Sequence, residues 1–158
     1  MKLHRLLMLA GLLVAGYAGP ALAADAPAGD DKVRIHYHRP DGAYDGWGLH
    51  TWESFQAKDQ ASDEWAKKEM SDRPLDGVTW FKPMPQSGKT DFGVYWEIPA
   101  KEYANGRVNY IIHKGDKKDQ CNKDMFFMAT ETKDAWVVAT DCKVYKTKDE
   151  ALKSPKLK

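Results

Sequence analysis

The chain has 158 residues, of which 42% are hydrophobic, 11% aromatic and 30% charged; that length suits one domain with a real core. Its 24 Lys and Arg against 23 Asp and Glu give none of the basic excess that phosphate backbones demand, which argues against nucleic acid as a partner.

Residues 1–23, "MKLHRLLMLAGLLVAGYAGPALA", place Lys2 and Arg5 ahead of an apolar run and end on the small-x-small site Ala21-Leu22-Ala23. This is the pattern of a signal peptide cleaved near Ala23-Ala24, implying a secreted or periplasmic destination. The run from Leu6 to Ala15 is too short to span a bilayer and no second one follows, so no membrane span is expected. Removing Lys2 and Arg5 leaves 22 basic residues against 23 acidic ones, a net charge of about −1. A neutral ligand such as a sugar suits that balance. Cys121 and Cys142 are the only cysteines, and in an oxidising compartment a single disulfide is their natural pairing, two free thiols being the alternative.

Ala24 to Asp31, "ADAPAGDD", reads as a flexible lead-in. In "KVRIHYHR", Val33, Ile35 and Tyr37 alternate with Arg34, His36 and His38, the period of a half-buried strand. A turn, "PDGAYDG", leads into "WGLHTW", where alternation sets Trp47, Leu49 and Thr51 on one face and Gly48, His50 and Trp52 on the other. The polar stretch from Glu53 to Gly77 reads as a long surface insertion, and "VTWFKPMP" as an edge strand demoted by its prolines. Further strands are expected in "DFGVYWEIP", "RVNYIIH", "MFFMAT", "AWVVAT" and "KVYK", with a turn at Asn105-Gly106 and a charged loop "HKGDKKDQCNKD". About seven or eight short strands without a strong helix predict an all-β fold, an antiparallel β-sandwich of immunoglobulin-like type. Its span is 32–147, with 148–158 as a polar C-terminal tail.

Enzyme motifs are missing: there is no G-x-S-x-G, no H-E-x-x-H, no glycine-rich phosphate loop and no cysteine-rich metal spacing. No cofactor is expected. His36 and His38 share a face but lack an evident third ligand, so a hydrogen-bonded pair is the better reading than a metal half-site. Trp96 and Trp136 fit the core. Trp52 differs, because Gly48 and His50 beside it are not core fillers, and an indole displayed among small and polar residues is a platform for a pyranose ring.

Three stretches in order, "VRIHYHRPDGAYDGWGLHTW", "VTWFKPMPQSGKTDFGVYWEIP" and "VNYIIHKGDKKD", make the chain resemble the bacterial pullulanase-associated domain, from about Lys32 to about Lys146. The resemblance implies a β-sandwich that binds α-glucans such as starch, glycogen, pullulan or maltooligosaccharides. It implies two tryptophans cradling adjacent glucose units, with a lysine and an aspartate bonding their hydroxyls. On this sequence those roles fall to Trp47 and Trp52, beside His50, and to Lys118 with Asp119 or Asp124. Some relatives carry tryptophan where this chain has His50, and others where it has Gly115. Trp47 and Trp52 differ by an odd number, so they share a face only if a bulge or the end of the strand intervenes, and Trp52 is the better candidate. A Cys121–Cys142 disulfide would tether the Lys118 loop to the last strand.

The reading that follows is a non-catalytic, free-standing, exported α-glucan-binding module, with a separate amylase or pullulanase as a further partner. The alternative is an exported protein-interaction domain whose aromatic face docks on a glycoside hydrolase or another protein.

Overall fold

Alternating apolar residues assemble two facing sheets in a computed structural model of the chain, which describes residues 25–53, 73–103 and 105–157. The strands are β1 (Lys32–His38), β2 (Gly48–Glu53), β3 (Arg73–Pro74), β4 (Gly88–Lys89), β5 (Val94–Pro99), β6 (Arg107–Lys114), β7 (Lys117–Lys118), β8 (Met125–Met128) and β9 (Asp134–Val138). One sheet runs β4-β5-β1-β9; the other runs β3-β2-β6, with β7 and β8 both pairing β6. Among the described residues every strand pairing is antiparallel except β1 with β9. The fold is the all-β sandwich that the spacing of strands predicts, with one parallel pair.

Period-two alternation explains the core. Val33, Ile35 and Tyr37 of β1, Trp96 and Ile98 of β5, Leu49 of β2 and Val108, Tyr110 and Ile112 of β6 are all essentially inaccessible. Each such side chain contributes roughly 1.5–3 kcal/mol by leaving water. Asn105-Gly106 does form a turn, Gly106 taking a φ of 73° that a side chain disfavours.

Several expectations are corrected. The polar C-terminal segment is folded rather than trailing: a short helix α1 (Lys148–Ala151) starts at Thr147, whose side chain accepts from the Glu150 N–H, and Ala151 and Ser154 are buried. Ala151 packs with Phe92, Trp136 and Val138 in a second cluster outside the first sheet. His36 is buried as well: it stacks on Trp136 with ring centroids 3.7 Å apart and bonds Asp134 at 2.9 Å, so the outward face of β1 is not a solvated one. Lead-in residues are likewise tied down, with the Ala28 N–H donating to Asp134 and Lys148 to Asp25. The segment "VTWFKPMP" is not a strand but a hooked loop held by reciprocal Thr79 and Lys82 backbone bonds and by a bridge between Leu49 and Met84. "KVYK" contributes only the Tyr145 bridge to Trp136. The expected signal peptide and most of the Glu53–Gly77 insertion lie outside the described residues.

Candidate functional site

The outer face of the second sheet follows from its register. Cross-strand partners share a face, so Gly48, His113 and Lys118 form one row, and Trp52, Asn109 and Phe126 another. His50 lies opposite Ile111 between them. Alternation sends Leu49, Tyr110 and Ile112 into the core and leaves this second set outside.

A loop then adds what no strand supplies. Gly48 has no side chain, and a Cβ there would stand 2.7 Å from two carbons of Pro83. The 79–84 loop can therefore cross the sheet closely, and it lays the Trp80 indole on His113, with ring centroids 4.0 Å apart and planes 6° apart. The Trp80 Nε1–H donates to Asp116 at 3.1 Å, fixing the indole's edge. His50 stands between two indoles, 5.5 Å from Trp52 and 5.9 Å from Trp80.

These side chains line an open groove of about 410 Å³ together with Pro74, Ile111, Lys118 and Asp124. Lys118 Nζ donates to Asp124 at 2.9 Å and sits 5.7 Å from the Trp80 ring centroid. Asp124 is exposed and Lys118, Trp52 and Trp80 are half-buried. Burial, and next the neighbouring His113, hold the His50 pKa below the ordinary imidazole value. The groove thus joins two indoles, an apolar floor at Ile111 and a charged rim. It suits a neutral ligand with flat apolar faces and hydroxyls at its edge.

Of the residues expected from the sequence, Trp52, His50, Lys118 and Asp124 come together here. Trp47 does not. It is 6% exposed in the core, 6.2 Å from the Tyr37 ring, and the Arg39 guanidinium lies 4.5 Å over it. Its parity with Leu49 and Thr51 places it on the inner side. Asp119 does not join either: it is buried and accepts bonds from the Tyr37 hydroxyl and from the Thr140 N–H. Burial and then that carboxylate push the Tyr37 pKa well up, so the hydroxyl stays a donor. The residue that sequence reasoning missed is Trp80. Its only signal is its place in "VTWFKPMP", where prolines argue for a loop able to project an aromatic.

The disulfide expected between Cys121 and Cys142 is present, with Cα atoms 5.4 Å apart. It anchors a turn in which Gln120, Cys121 and Asn122 all have positive φ, an arrangement costly for residues with side chains. Among the described residues no group of three or more His, Cys, Asp or Glu is placed to hold a metal ion, and no helix is long and apolar enough to cross a membrane.

Fold and face define a β-sandwich with an aromatic, charge-rimmed groove on the outer face of its second sheet. The chain belongs to the family described as the Bacterial pullanase-associated domain, whose model matches residues 31–146. It is similar to an alpha-amylase of Streptomyces lividans, with 37% identity over 94 residues that make up 59% of this chain and 8% of the amylase. This chain therefore spans only a small part of that relative. Among solved structures, ligand-free PulA of Klebsiella pneumoniae shares the fold with a TM-score of 0.60 at 19% identity, covering 81% of this chain and 12% of PulA. Family 41 carbohydrate-binding modules from streptococcal virulence factors, described as recognising α-glucan, share it with a TM-score of 0.54 at 21% identity, covering 77% of this chain and 50% of theirs.

Proposed function

We propose that this chain is a non-catalytic, exported module that binds α-glucans in the groove between Trp52 and Trp80. The observation carrying the proposal is that two half-buried indoles flank His50 in one groove whose rim is the Lys118–Asp124 pair. A pyranose ring presents an apolar face to an indole and hydroxyls at its edge. Lys118 donates to one hydroxyl and Asp124 accepts from another, and such charge-assisted bonds are the stronger kind. By analogy with bases on aromatic platforms, stacking contributes about 1–3 kcal/mol per ring, which puts the affinity in the millimolar to micromolar range. Family membership and the α-glucan recognition described for the streptococcal modules support the choice of ligand.

Affinity electrophoresis in gels containing amylopectin or pullulan tests this, with Trp52→Ala, Trp80→Ala and Lys118→Ala run beside the parent. Retardation of the parent, reduced in all three variants, is the expected result; a parent that runs unretarded in every glucan overturns the proposal. A second reading, docking on a separate amylase or pullulanase, draws on Phe81, which is 93% exposed at the tip of the loop that carries Trp80. It predicts that soluble maltooligosaccharides leave tryptophan fluorescence unchanged.

A further inference from the structure

The aromatic face continues past the groove. Trp52, Asn109 and Phe126 stand in register on three neighbouring strands, which sets Trp52 and Phe126 two strand spacings apart, roughly 10 Å. Phe126 is 47% exposed, unlike the inward Phe127 beside it at 6%. The Arg107 guanidinium lies 3.5 Å from the Phe126 ring centroid, a cation–π arrangement that holds both groups on this face. Side-chain bonds join the row: Arg107 Nε donates to Asn109 Oδ1 at 2.9 Å, and Asn109 Nδ2 donates to the Trp52 carbonyl at 3.2 Å.

Arg107 differs from the other described arginines in its charge environment. Arg34, Arg39 and Arg73 each meet a carboxylate within 4 Å. Among the described residues none pairs with Arg107, and its pKa is lowered by burial alone. A half-buried guanidinium that keeps unpaired N–H donors beside an exposed aromatic ring offers the same two elements as the groove, a flat apolar surface and a hydrogen-bonding group.

We infer that Phe126 and Arg107 form a second contact point for the same α-glucan chain, reached across Asn109 once the first sugars occupy the groove at Trp52. The inference rests on the proposed glucan function and deepens it: the module favours chains long enough to lie across the sheet over short oligosaccharides. The ring of Phe126 takes a sugar face, and Arg107 donates to the hydroxyls beside it.

Titration calorimetry of the intact chain with maltotriose, maltoheptaose and amylopectin tests the inference. Phe126→Ala is expected to leave maltotriose affinity within about twofold and to weaken the two longer ligands about tenfold, the loss of one aromatic contact. Phe126→Trp is expected to keep the long-chain preference, and Arg107→Gln to lose part of it. Equal binding of all three ligands by Phe126→Ala and the parent overturns the inference while leaving the groove intact. So does an equal loss for every length, which marks Phe126 as structural; an unchanged melting temperature and the Phe126→Trp variant guard against misfolding. A parent that binds no glucan overturns the groove and the extension together, whereas Trp52→Ala abolishing binding beside a silent Phe126→Ala overturns only the extension.

Discussion

The Trp80 indole lies flat on the His113 imidazole, with ring centroids 4.0 Å apart. His113 is itself 1% exposed and donates from Nδ1 to the Gly115 carbonyl at 2.8 Å, so a fixed ring sets the angle of a loop-borne one. His113→Ala removes a stacking contact worth about 0.5–1.5 kcal/mol and should weaken glucan binding roughly two- to tenfold. Gly48→Ala should act in the same direction, because its methyl group meets Pro83 and lifts the loop. Calorimetry with maltoheptaose measures both; affinities equal to the parent would show that Trp80 does not depend on this seat.

Trp47 and Trp52 should separate cleanly in stability and binding. Trp47 is in the core, and Trp47→Ala is expected to cost about 3–5 kcal/mol of stability. Trp52→Ala should leave the urea midpoint much nearer the parent while glucan affinity falls by about 1–3 kcal/mol, some five- to 150-fold. Equilibrium unfolding beside affinity electrophoresis gives both numbers. Binding loss in a still-folded Trp47→Ala protein would contradict this division.

Acid should weaken the groove through His50. Its folded pKa is lowered, by burial first and His113 second. The unfolded chain therefore takes up the proton first as pH falls below about 6.5. The stability associated with the neutral ring is fully present above that value and is lost as pH drops through the lower folded value. Melting temperature should fall on going from pH 7 toward pH 5, and the slope over that window should flatten in His50→Gln. A His50→Gln protein with the parent's slope there would assign the acid sensitivity to other groups.

Removing the disulfide should affect both folding and binding. Cys121 and Cys142 are 21 residues apart, so the chain-entropy model gives a loss of about 3 kcal/mol in the Cys121→Ser/Cys142→Ser protein. The turn it anchors lies between Lys118 and Asp124, and loosening it raises the ordering cost of the rim. Glucan affinity should therefore drop severalfold in a protein that still melts cooperatively. Unchanged affinity after reduction would leave the bond a purely stabilising role.

Much of this was readable in the order of residues. The alternation in "KVRIHYH" and "VYWEI" marks β1 and β5, and it puts Trp96 at the centre of the core. Because alternation is local, it also ties His50 to Trp52 and separates both from Trp47. Burial of His36 was hidden because its cover, the stacked Trp136 ring, comes from a distant strand of the chain. Asp119 and Lys118 are neighbours in an ordinary charged loop, and only the approach of Tyr37 and Thr140 shows that one is a structural pin while the other reaches the groove.

By itself the sequence determined the sandwich, the cysteine pair and the sharing of one face by His50 and Trp52, since strand periodicity fixes which side chains point together. Tertiary structure decided which face meets water, that Trp80 rather than Trp47 is the second indole, and that Phe126 stands in line with Trp52. Those outcomes depend on cross-strand register and on a loop crossing above Gly48, and such contacts join residues whose separation along the chain carries no local pattern.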